Sequence, residues 1–366
     1  MPVRQGKYLA GVMTVAALGA GFATAPAAHA ERSVRVVHEG QSIQAAVDAS
    51  AAGDTVFVMP GTYRESVQID RKLTLRGAGA GQVTIEPAAT SATASATKAA
   101  DSAAACATAG HGICVTGTAD HPVSQVRIES LTVEGFRQNG IDASGTDRMV
   151  VRHVLVKDNG EQGISQEMST RAVLSANQAV HNGQSGIFVA NLVDAEGGAL
   201  DTMGTVISDN TLTGNRIGVT ARRVRALEVE NNTITGNCGG VFVVGDENTP
   251  HAGDLDIRQN EIIANNAYCA SNGRLPFIQG TGVLLTGAED TRVTDNLIRD
   301  NVGTSPMSGG VVLFPSTVGV ANLHNQVTGN TLSGNGPADL AERDTAGSGN
   351  TFTGNTCQVS EPAGRC

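Results

Sequence analysis

The sequence lacks tryptophan altogether, and its 366 residues include only 3 tyrosines and 8 phenylalanines. Aromatic side chains normally supply much of the area buried in a globular core, and they also form platforms on which sugar rings stack. Their scarcity argues against a core built on ring packing. It favours a core made of stacked rows of aliphatic side chains.

Basic residues are also scarce, with 25 Lys and Arg against 35 Asp and Glu and a formal net charge of −10. Binding to nucleic acid or to an anionic membrane depends on neutralising phosphates with Lys and Arg. The charge balance therefore predicts no nucleic-acid partner. It equally opposes tight binding of a strongly acidic polymer, unless a cation such as Ca²⁺ bridges the two.

Long apolar runs are absent outside the first part of the chain. Arg4 and Lys7 precede an uncharged apolar stretch at 8–25, and Ala28-His29-Ala30 has the small-x-small pattern of a cleavage site. The alternative, a transmembrane anchor, fits less well because the run is short, rich in Ala and Gly, and followed by no second one. We therefore predict a signal peptide at 1–30 and a secreted chain without a membrane anchor.

All six cysteines lie beyond this segment. An even number in an exported protein indicates disulfides, and pairing between sequence neighbours is the simplest choice. A metal site is the alternative, but the sequence contains no Cys-x-x-Cys motif and no Cys/His cluster. The expected disulfides are Cys106–Cys114, Cys238–Cys269 and Cys357–Cys366.

One cassette recurs along the chain: a β-rich run, an Asn, four residues, a second Asn, and later Gly followed by an aliphatic residue. Closely spaced copies repeat every 22 to 24 residues, and the others carry insertions. Asn tolerates left-handed turn geometry, and it can form a ladder when it recurs at one place in successive units. The pairs are Asn177 and Asn182, Asn210 and Asn215, Asn232 and Asn237, Asn260 and Asn265, Asn296 and Asn301, Asn330 and Asn335, and Asn350 and Asn355.

A unit of this length holds three short strands and three turns, and it buries its apolar face only by stacking on another unit. A leucine-rich repeat is the rival architecture, but here the inward positions mix Val, Ile and Leu without a helical period. The sequence therefore predicts an all-β, right-handed parallel β-helix as a single domain over 31–366. Residues 87–110, dominated by Ala, Thr and Ser, are expected to form a flexible surface insertion.

The N-terminal segment resembles the opening of the pectin-lyase-like β-helix superfamily. Together with the Asn/Gly cassettes it is most similar to the NosD-type branch, whose repeats are shared by carbohydrate-binding proteins and sugar hydrolases. Ser42 can also cap a short helix that covers the open end of the stack with Ile43 and Val47 on one face. The matching segments are Gln41–Val47, Gly53–Val58, Pro60–Glu65 and Lys72–Gly77.

Short catalytic motifs are missing from the sequence. It has no Gly-x-Ser-x-Gly elbow, no His-Glu-x-x-His pair and no phosphate-binding loop. Also absent are the Gln-Asp-Thr signature of pectin methylesterase-like proteins, the Asn-Thr-Asp and Gly-Asp-Asp patterns of polygalacturonase-like proteins, and the His-Asp signatures of alginate epimerases. A Gly-His-Gly tripeptide occurs at 110–112, but without the other two polygalacturonase patterns. The activities of those branches therefore do not carry over.

The superfamily places its sites on one strand face, and alternate residues after each Gly-aliphatic pair should point outward there. A carboxylate pair near an arginine can bind a cation or carry out acid–base chemistry on a sugar. Asp142, Glu167 and Arg222 are therefore the candidate catalytic residues; the alternative is a solvated strand face with an ordinary ion pair. The first outward column contains Asp142, Ser165, Phe188, Thr220, Phe242, Leu284 and Val312. The second contains Ser144, Glu167, Ala190, Arg222, Val244, Thr286 and Phe314.

Long insertions flank the same strands, at 191–204, 245–253, 266–280 and 302–309. Loops beside a rigid scaffold commonly carry binding residues, although these loops can instead simply cover the apolar part of the face. The candidate ligand-binding residues in the loops are Asp194, Glu196, Asp246, Glu247, His251 and Arg274.

Two classes of function remain. The first is a monomeric, polysaccharide-directed protein, either a lyase, a hydrolase or a non-catalytic binder, whose ligand is a neutral sugar or a Ca²⁺-bridged uronate. The second is a structural or interaction protein of the cell envelope, such as a NosD-like accessory factor. A copper role is disfavoured because Met and His do not cluster in the sequence.

The first testable prediction concerns processing. The secreted protein should begin near Glu31, because the small-x-small pattern ends at Ala30. The intact mass of the protein from culture supernatant checks this. A secreted form that keeps residues 1–30 would contradict it.

Overall fold

A computed structural model describes residues 32–88, 100–118, 120–191, 197–272 and 275–366, with the backbone alone described at 100–103. Residues Arg32–Cys366 form one compact unit. Among the described residues, no helix is long and apolar enough to cross a membrane.

Three long parallel sheets, called A, B and C here, run the length of this unit, and each coil contributes one strand to each sheet in turn. This arrangement is the right-handed parallel β-helix that the repeats predict. Sheet A contains Val34–Val37, Thr55–Val58, Thr74–Gly77, Arg127–Glu129, Val150–Arg152, Val173–Ser175, Leu200–Ser208, Val224–Glu230, Gly253–Arg258, Arg292–Thr294, Gln326–Thr328 and Thr351–Thr353.

Sheets B and C follow the same coil order. Sheet B contains Gly61–Arg64, Val83–Glu86, Thr132–Glu134, Leu155–Lys157, Gln178–Val180, Thr211–Thr213, Thr233–Thr235, Glu261–Ile263, Leu297–Arg299 and Thr331–Ser333. Sheet C contains Val67–Ile69, Ile113–Thr116, Ile141–Ser144, Ile164–Glu167, Ser185–Ala190, Ile217–Arg222, Gly239–Val244, Thr281–Thr286, Gly309–Leu313, Leu340–Glu342 and Ser360–Glu361. A short pair of strands, Val123–Ser124 and Thr146–Asp147, makes a separate two-stranded sheet.

The interior is filled by aliphatic rows that run along the stack. The aliphatic residue of each Gly-aliphatic pair points inward and is fully buried, and burial of each such side chain contributes roughly 1.5–3 kcal/mol. One row of sheet C, with every member at 0% exposure, consists of Ile141, Ile164, Ile187, Val219, Val241, Val283 and Val311.

A short helix at Ile43–Asp48 covers the N-terminal end of the stack, as the sequence predicts. Ser42 caps it, because the Ser42 hydroxyl accepts from the Ala45 backbone N–H at 3.1 Å. The Glu65 carboxylate accepts further bonds from the first turn, including one from the Ile43 N–H at 2.7 Å. Ile43 and Val47 are buried against the first coils.

Buried asparagines form two long ladders at the corners that follow sheets A and B. Each side-chain oxygen accepts from the backbone N–H of the asparagine one coil earlier; Asn215 donates to Asn237 at 2.8 Å, and Asn237 donates to Asn265 at 3.2 Å. Each side-chain N–H₂ bonds the next rung and a carbonyl of a neighbouring coil, as Asn237 does with Leu212 at 3.0 Å. The ladders therefore satisfy turn groups that the sheets leave unpaired.

The Ala-rich insertion differs in part from the expected flexible segment. Residues Ala100–Ala109 form a helix, while 89–99 lie outside the described residues. Alanine has the highest intrinsic helix propensity, and six of these ten residues are alanine. The segment has no apolar stripe, so its periodicity does not predict a helix; its alanine content does.

Three disulfides are present, and each joins neighbouring cysteines in the sequence. Cys106–Cys114 ties the end of the inserted helix to sheet C, Cys238–Cys269 ties a sheet C strand to the 266–280 loop, and Cys357–Cys366 closes the C-terminus. Every cysteine of the sequence is thereby paired.

The second prediction is that Asn237→Ala lowers the free energy of unfolding by about 2–4 kcal/mol, because it leaves buried groups on two adjacent coils without partners. Urea unfolding followed by circular dichroism measures this loss. Asn355→Ala is the control, since Asn355 ends its ladder and is only half-buried. Equal losses in the two variants would contradict a stabilising role for the ladder interior.

Candidate functional site

The outward face of sheet C has the strand register that the sequence predicts. Asp142 pairs with Ser165, and the same column continues through Phe188, Thr220 and Phe242. The second column aligns Ser144, Glu167, Ala190, Arg222, Val244 and Thr286. Since strands in a sheet are about 4.8 Å apart, Arg222 lies about 10 Å from Glu167 along the stack.

The apolar C-terminal half of this face is covered by loops. Phe242 and Leu284 pack there with Ile278 of the 266–280 loop and Met307 of the 302–309 loop, and all four are at most 1% exposed. The Cys238–Cys269 disulfide attaches the first loop to the same cluster. For this half of the face, the alternative interpretation of the insertions as covers is the right one.

A cleft of about 700 Å³, called the sheet C cleft, lies where the polar half meets the covered half. Its volume is in the range of about 300–1,000 Å³ that is typical of ligand sites. Sheet C provides the floor, and loops on both sides provide the walls. The lining residues include Gln162, Glu167, Gln184, Ser185, Phe188, Thr220, Arg222, Arg223, Phe242, Val244, Asp246, Asn272, Leu275, Thr317 and Val318.

The cleft contains a carboxyl group of raised pKa, that of Glu167. Burial raises the pKa of Glu167, the Asp142 carboxylate raises it further, and Arg222 opposes both effects. Asp142 itself is held by Asn139, whose side-chain N–H₂ donates to Oδ1 at 2.7 Å. The three candidate catalytic residues therefore interact electrostatically, although Asp142 does not line the cleft.

The loop candidates are distributed unevenly. Asp246 lines the cleft, and its Oδ2 lies 2.6 Å from the Nε of buried Arg223. His251 Nδ1 lies 3.3 Å from the Asp246 carbonyl oxygen, which can only accept, while Glu247 is exposed; neither side chain lines the cleft. The other three candidates, Asp194, Glu196 and Arg274, lie outside the described residues.

Several polar residues of the cleft were missed by the sequence reasoning. Gln162 accepts from the Ser185 N–H at 2.6 Å, and the Ser185 hydroxyl lies 2.7 Å from that of Thr220. Gln184 and Ser185 come directly before the Gly186-Ile187 pair, so the cassette itself marks the place. The predicted outward columns begin after each Gly-aliphatic pair, so they do not include Gln184 and Ser185, which precede it.

The described parts of the chain contain no group of three or more His, Cys, Asp and Glu side chains that could hold a metal ion. The Ca²⁺ hypothesis therefore has no ligand cluster within those parts.

Two family profiles match parts of the chain. The profile of the right handed beta helix region matches residues 90–262, and that of the periplasmic copper-binding protein NosD matches residues 192–356. A comparison with curated proteins found no significant match.

Two solved structures with a similar fold are a mannuronan epimerase module and DFA-IIIase. The A-module of mannuronan C-5 epimerase AlgE6 from Azotobacter vinelandii is 19% identical with a TM-score of 0.57, covering 87% of this chain and 90% of that one. DFA-IIIase from Arthrobacter chlorophenolicus A6 is 17% identical with a TM-score of 0.58, covering 87% of this chain and 79% of that one. At these identities the likeness concerns the fold.

The third prediction uses the raised pKa of Glu167. A carboxyl group whose folded-state pKa is raised contributes stability that is fully present below the unfolded-state pKa and lost as the pH rises through the folded-state pKa. The side chain of Glu167→Gln stays neutral at every pH. The melting temperature of this variant minus that of the wild type should therefore increase as the pH rises from about 4 to about 7.

Calorimetry across that pH range checks the prediction, with Glu261→Gln as control because Glu261 is exposed on sheet B. The pH dependence of the Glu167→Gln difference is compared with that of this control. A Glu167→Gln difference that is flat or falls as the pH rises would contradict the assignment.

Proposed function

We propose that this right-handed parallel β-helix binds a polysaccharide in the sheet C cleft and processes it there, and its likeness to β-helix proteins and to a mannuronan epimerase module supports this. The three disulfides and the NosD profile indicate an extracellular or periplasmic protein, which is where such a polymer is found. Secretion through the segment at 1–30 is part of the proposal.

The observation that carries the proposal is the composition of the cleft. An acid of raised pKa, an arginine and an apolar ring meet on one rigid strand face, in Glu167, Arg222 and Phe188. Sugar rings have apolar faces and hydroxyl edges, so a site that recognises them needs both kinds of surface. Phe188 is half-buried and offers an apolar surface in a protein without tryptophan.

The polar groups of the wall suit sugar hydroxyls. The hydroxyl groups of Ser185 and Thr220 line the cleft and bond each other, and the side-chain amides of Gln162 and Gln184 both donate and accept. Ser185 and Thr220 stand in paired strands of sheet C, so backbone pairing fixes their positions. A preformed set of donors and acceptors reduces the ordering cost of binding.

Glu167 and Arg222 supply the chemistry. In hydrolysis, protonated Glu167 donates its proton to the glycosidic oxygen as the bond to the anomeric carbon breaks; water then adds to that carbon and returns a proton to the carboxylate. Burial favours the protonated form that this role needs, by raising the pKa of Glu167. Arg222 pairs with a uronate carboxylate or with anionic charge that develops on the substrate.

The known activities of the structural neighbours do not define the substrate. The two neighbours differ from each other in their chemistry, one being a mannuronan epimerase and the other DFA-IIIase. This sequence lacks the His-Asp signature of the epimerases. The proposal therefore extends to a glycan ligand, with the reaction assigned to Glu167 and Arg222 of this chain.

A second candidate function is a non-catalytic interaction or accessory role in the cell envelope. The NosD profile favours it, because it matches 192–356, which includes the loop-covered half of sheet C. In that case the cleft would be a surface feature of a scaffold, and its residues would be dispensable for any glycan interaction.

The fourth prediction compares Glu167→Gln and Arg222→Ala with the wild type on a panel of acidic and neutral polysaccharides, with and without Ca²⁺. Glu167→Gln should lower turnover by about 10²–10⁴-fold, because it removes the transferable proton. Arg222→Ala should weaken binding of a uronate-containing glycan by about tenfold. Chromatography of products measures the first change, and titration calorimetry measures the second.

Glu261→Gln and Arg299→Ala are matched controls on the outside of sheet B, and both should behave as the wild type does. If the two cleft variants remain folded and keep full affinity and rate, the envelope-interaction function replaces the proposed one. A requirement for Ca²⁺ in the wild type would support the bridged-uronate ligand.

A further inference from the structure

A second groove, called the basic groove here, lies at the corner where each coil passes from sheet C into sheet A. Its volume is about 530 Å³, and its lining is cationic although the protein is acidic overall. It shares no lining residue with the sheet C cleft. Its residues are Arg32, Gly53, Lys72, Leu73, Thr74, Gln125, Arg127, Arg148, Val150, Arg171 and Val173.

Strand register arranges these cations in one line. In sheet A, Val34, Thr55, Thr74, Arg127, Val150 and Val173 are aligned in successive strands. The residues two positions before them stand at the corner, and they are Arg32, Gly53, Lys72, Gln125, Arg148 and Arg171. At about 4.8 Å per coil, this line is about 24 Å long.

The corner residues share a backbone conformation as well as a column. Gln125, Arg148 and Arg171 have φ values of 58°, 51° and 54°, all in the left-handed region. Side chains on equivalent backbone in successive coils leave the stack in the same direction. The guanidinium groups of Arg148 and Arg171 are therefore carried to the same side of the corner.

Nearby carboxylates neutralise the groove only in part. Asp147 lies 2.7 Å from Arg171 and 3.4 Å from Arg148, so it is shared by two cations. Glu129 is likewise shared by Arg127 at 3.4 Å and Arg152 at 3.0 Å. Both carboxylates are almost fully buried, so they position the arginines from below and do not face the groove.

The cationic heads remain open to solvent. The side chains of Arg127, Arg148 and Arg171 are 47%, 50% and 43% exposed. Arg32 and Lys72 are exposed as well. Arginine held this way presents planar N–H groups that match a carboxylate in a bidentate geometry.

We propose that the basic groove binds a segment of an acidic polysaccharide, through carboxylate groups that recur along the polymer and pair with Arg148, Lys72 and their neighbours. A linear polymer with regularly spaced anions matches a line of cations that the coil spacing sets. This ligand lies outside the sheet C cleft, and its binding does not depend on activity there. On this proposal an acidic polymer binds without the bridging cation that net charge suggests.

Charge is distributed unevenly along the same corner, which explains why net charge misleads. Farther along the stack, Asp256 and Arg292 continue the aligned column of sheet A. The corner residues two positions before them are Asp254 and Asp290. The N-terminal part of the corner is therefore cationic and the C-terminal part anionic. A polyanion is attracted to the first part and repelled by the second.

An acidic glycan fits the groove better than a nucleic acid does. Proteins that bind single-stranded nucleic acid combine cations with aromatic side chains on which bases stack. The lining of the groove contains no aromatic residue. Disulfides also favour a compartment where polysaccharides are the usual polyanions.

The test uses a fluorescently labelled oligogalacturonate of about ten sugar units and measures anisotropy at low salt in the full-length protein. Lys72→Gln combined with Arg148→Gln should weaken binding at least about tenfold, since two charge-assisted contacts are lost. Arg64→Gln combined with Arg299→Gln is the matched control, because it removes the same charge from exposed sites on sheet B. The control should bind within about twofold of the wild type, and melting temperatures should show that both variants fold.

Other results would overturn the proposal. Equal weakening of binding in the two double variants would mean that the polymer is attracted by overall charge. If the wild type does not bind the oligogalacturonate, an acidic polysaccharide is excluded as the ligand. Binding lost only in Glu167→Gln with Arg222→Ala would assign the polymer to the sheet C cleft. Tighter binding of single-stranded DNA of similar length would assign the groove to nucleic acid. Full displacement by millimolar inorganic phosphate would assign it to a small anion.

Discussion

Backbone pairing between successive coils is the constraint on which the rest of the structure depends. Parallel strands in register fix the spacing of coils at about 4.8 Å, and each paired strand residue then has a counterpart in the neighbouring coils. This repetition turns single positions into rows: aliphatic rows inside, asparagine ladders at two corners, and columns of polar side chains outside. A row is stabilising only if each coil contributes a compatible residue, which is why the sequence repeats.

The sheet C cleft arises from a break in such a row. Along the outward face, polar residues such as Glu167 give way to apolar residues such as Phe242. An exposed apolar face is unfavourable in water, and the inserted loops cover it with Ile278 and Met307. The uncovered boundary keeps both a carboxyl group and an apolar surface, which is the combination proposed for glycan binding.

The same logic of rows produces the basic groove at a different corner. A cation that recurs at one coil position becomes a line of charge, and buried carboxylates such as Asp147 hold that line in place. The two sites differ in kind, since the groove is lined by cations and the cleft combines a carboxyl group with apolar surface. Net charge averages over both ends of the stack and therefore describes neither.

The sequence alone determined the coil repeat, the inward rows, the strand register of sheet C and the short capping helix begun by Ser42. These follow from periodic patterns, because each coil repeats the same local chemistry. Alternation along the predicted strands also places Glu167 and Arg222 on one face of sheet C. Periodicity missed the helix at Ala100–Ala109, since that segment has no apolar period. Only the tertiary structure decided which loops cover sheet C and that Asp246 lines the cleft. It also decided that Arg32 and Arg171, which are distant in sequence, share one corner. The physical reason is that irregular loops and insertions of different length carry no period, so their contacts are set by stacking and not by the order of residues.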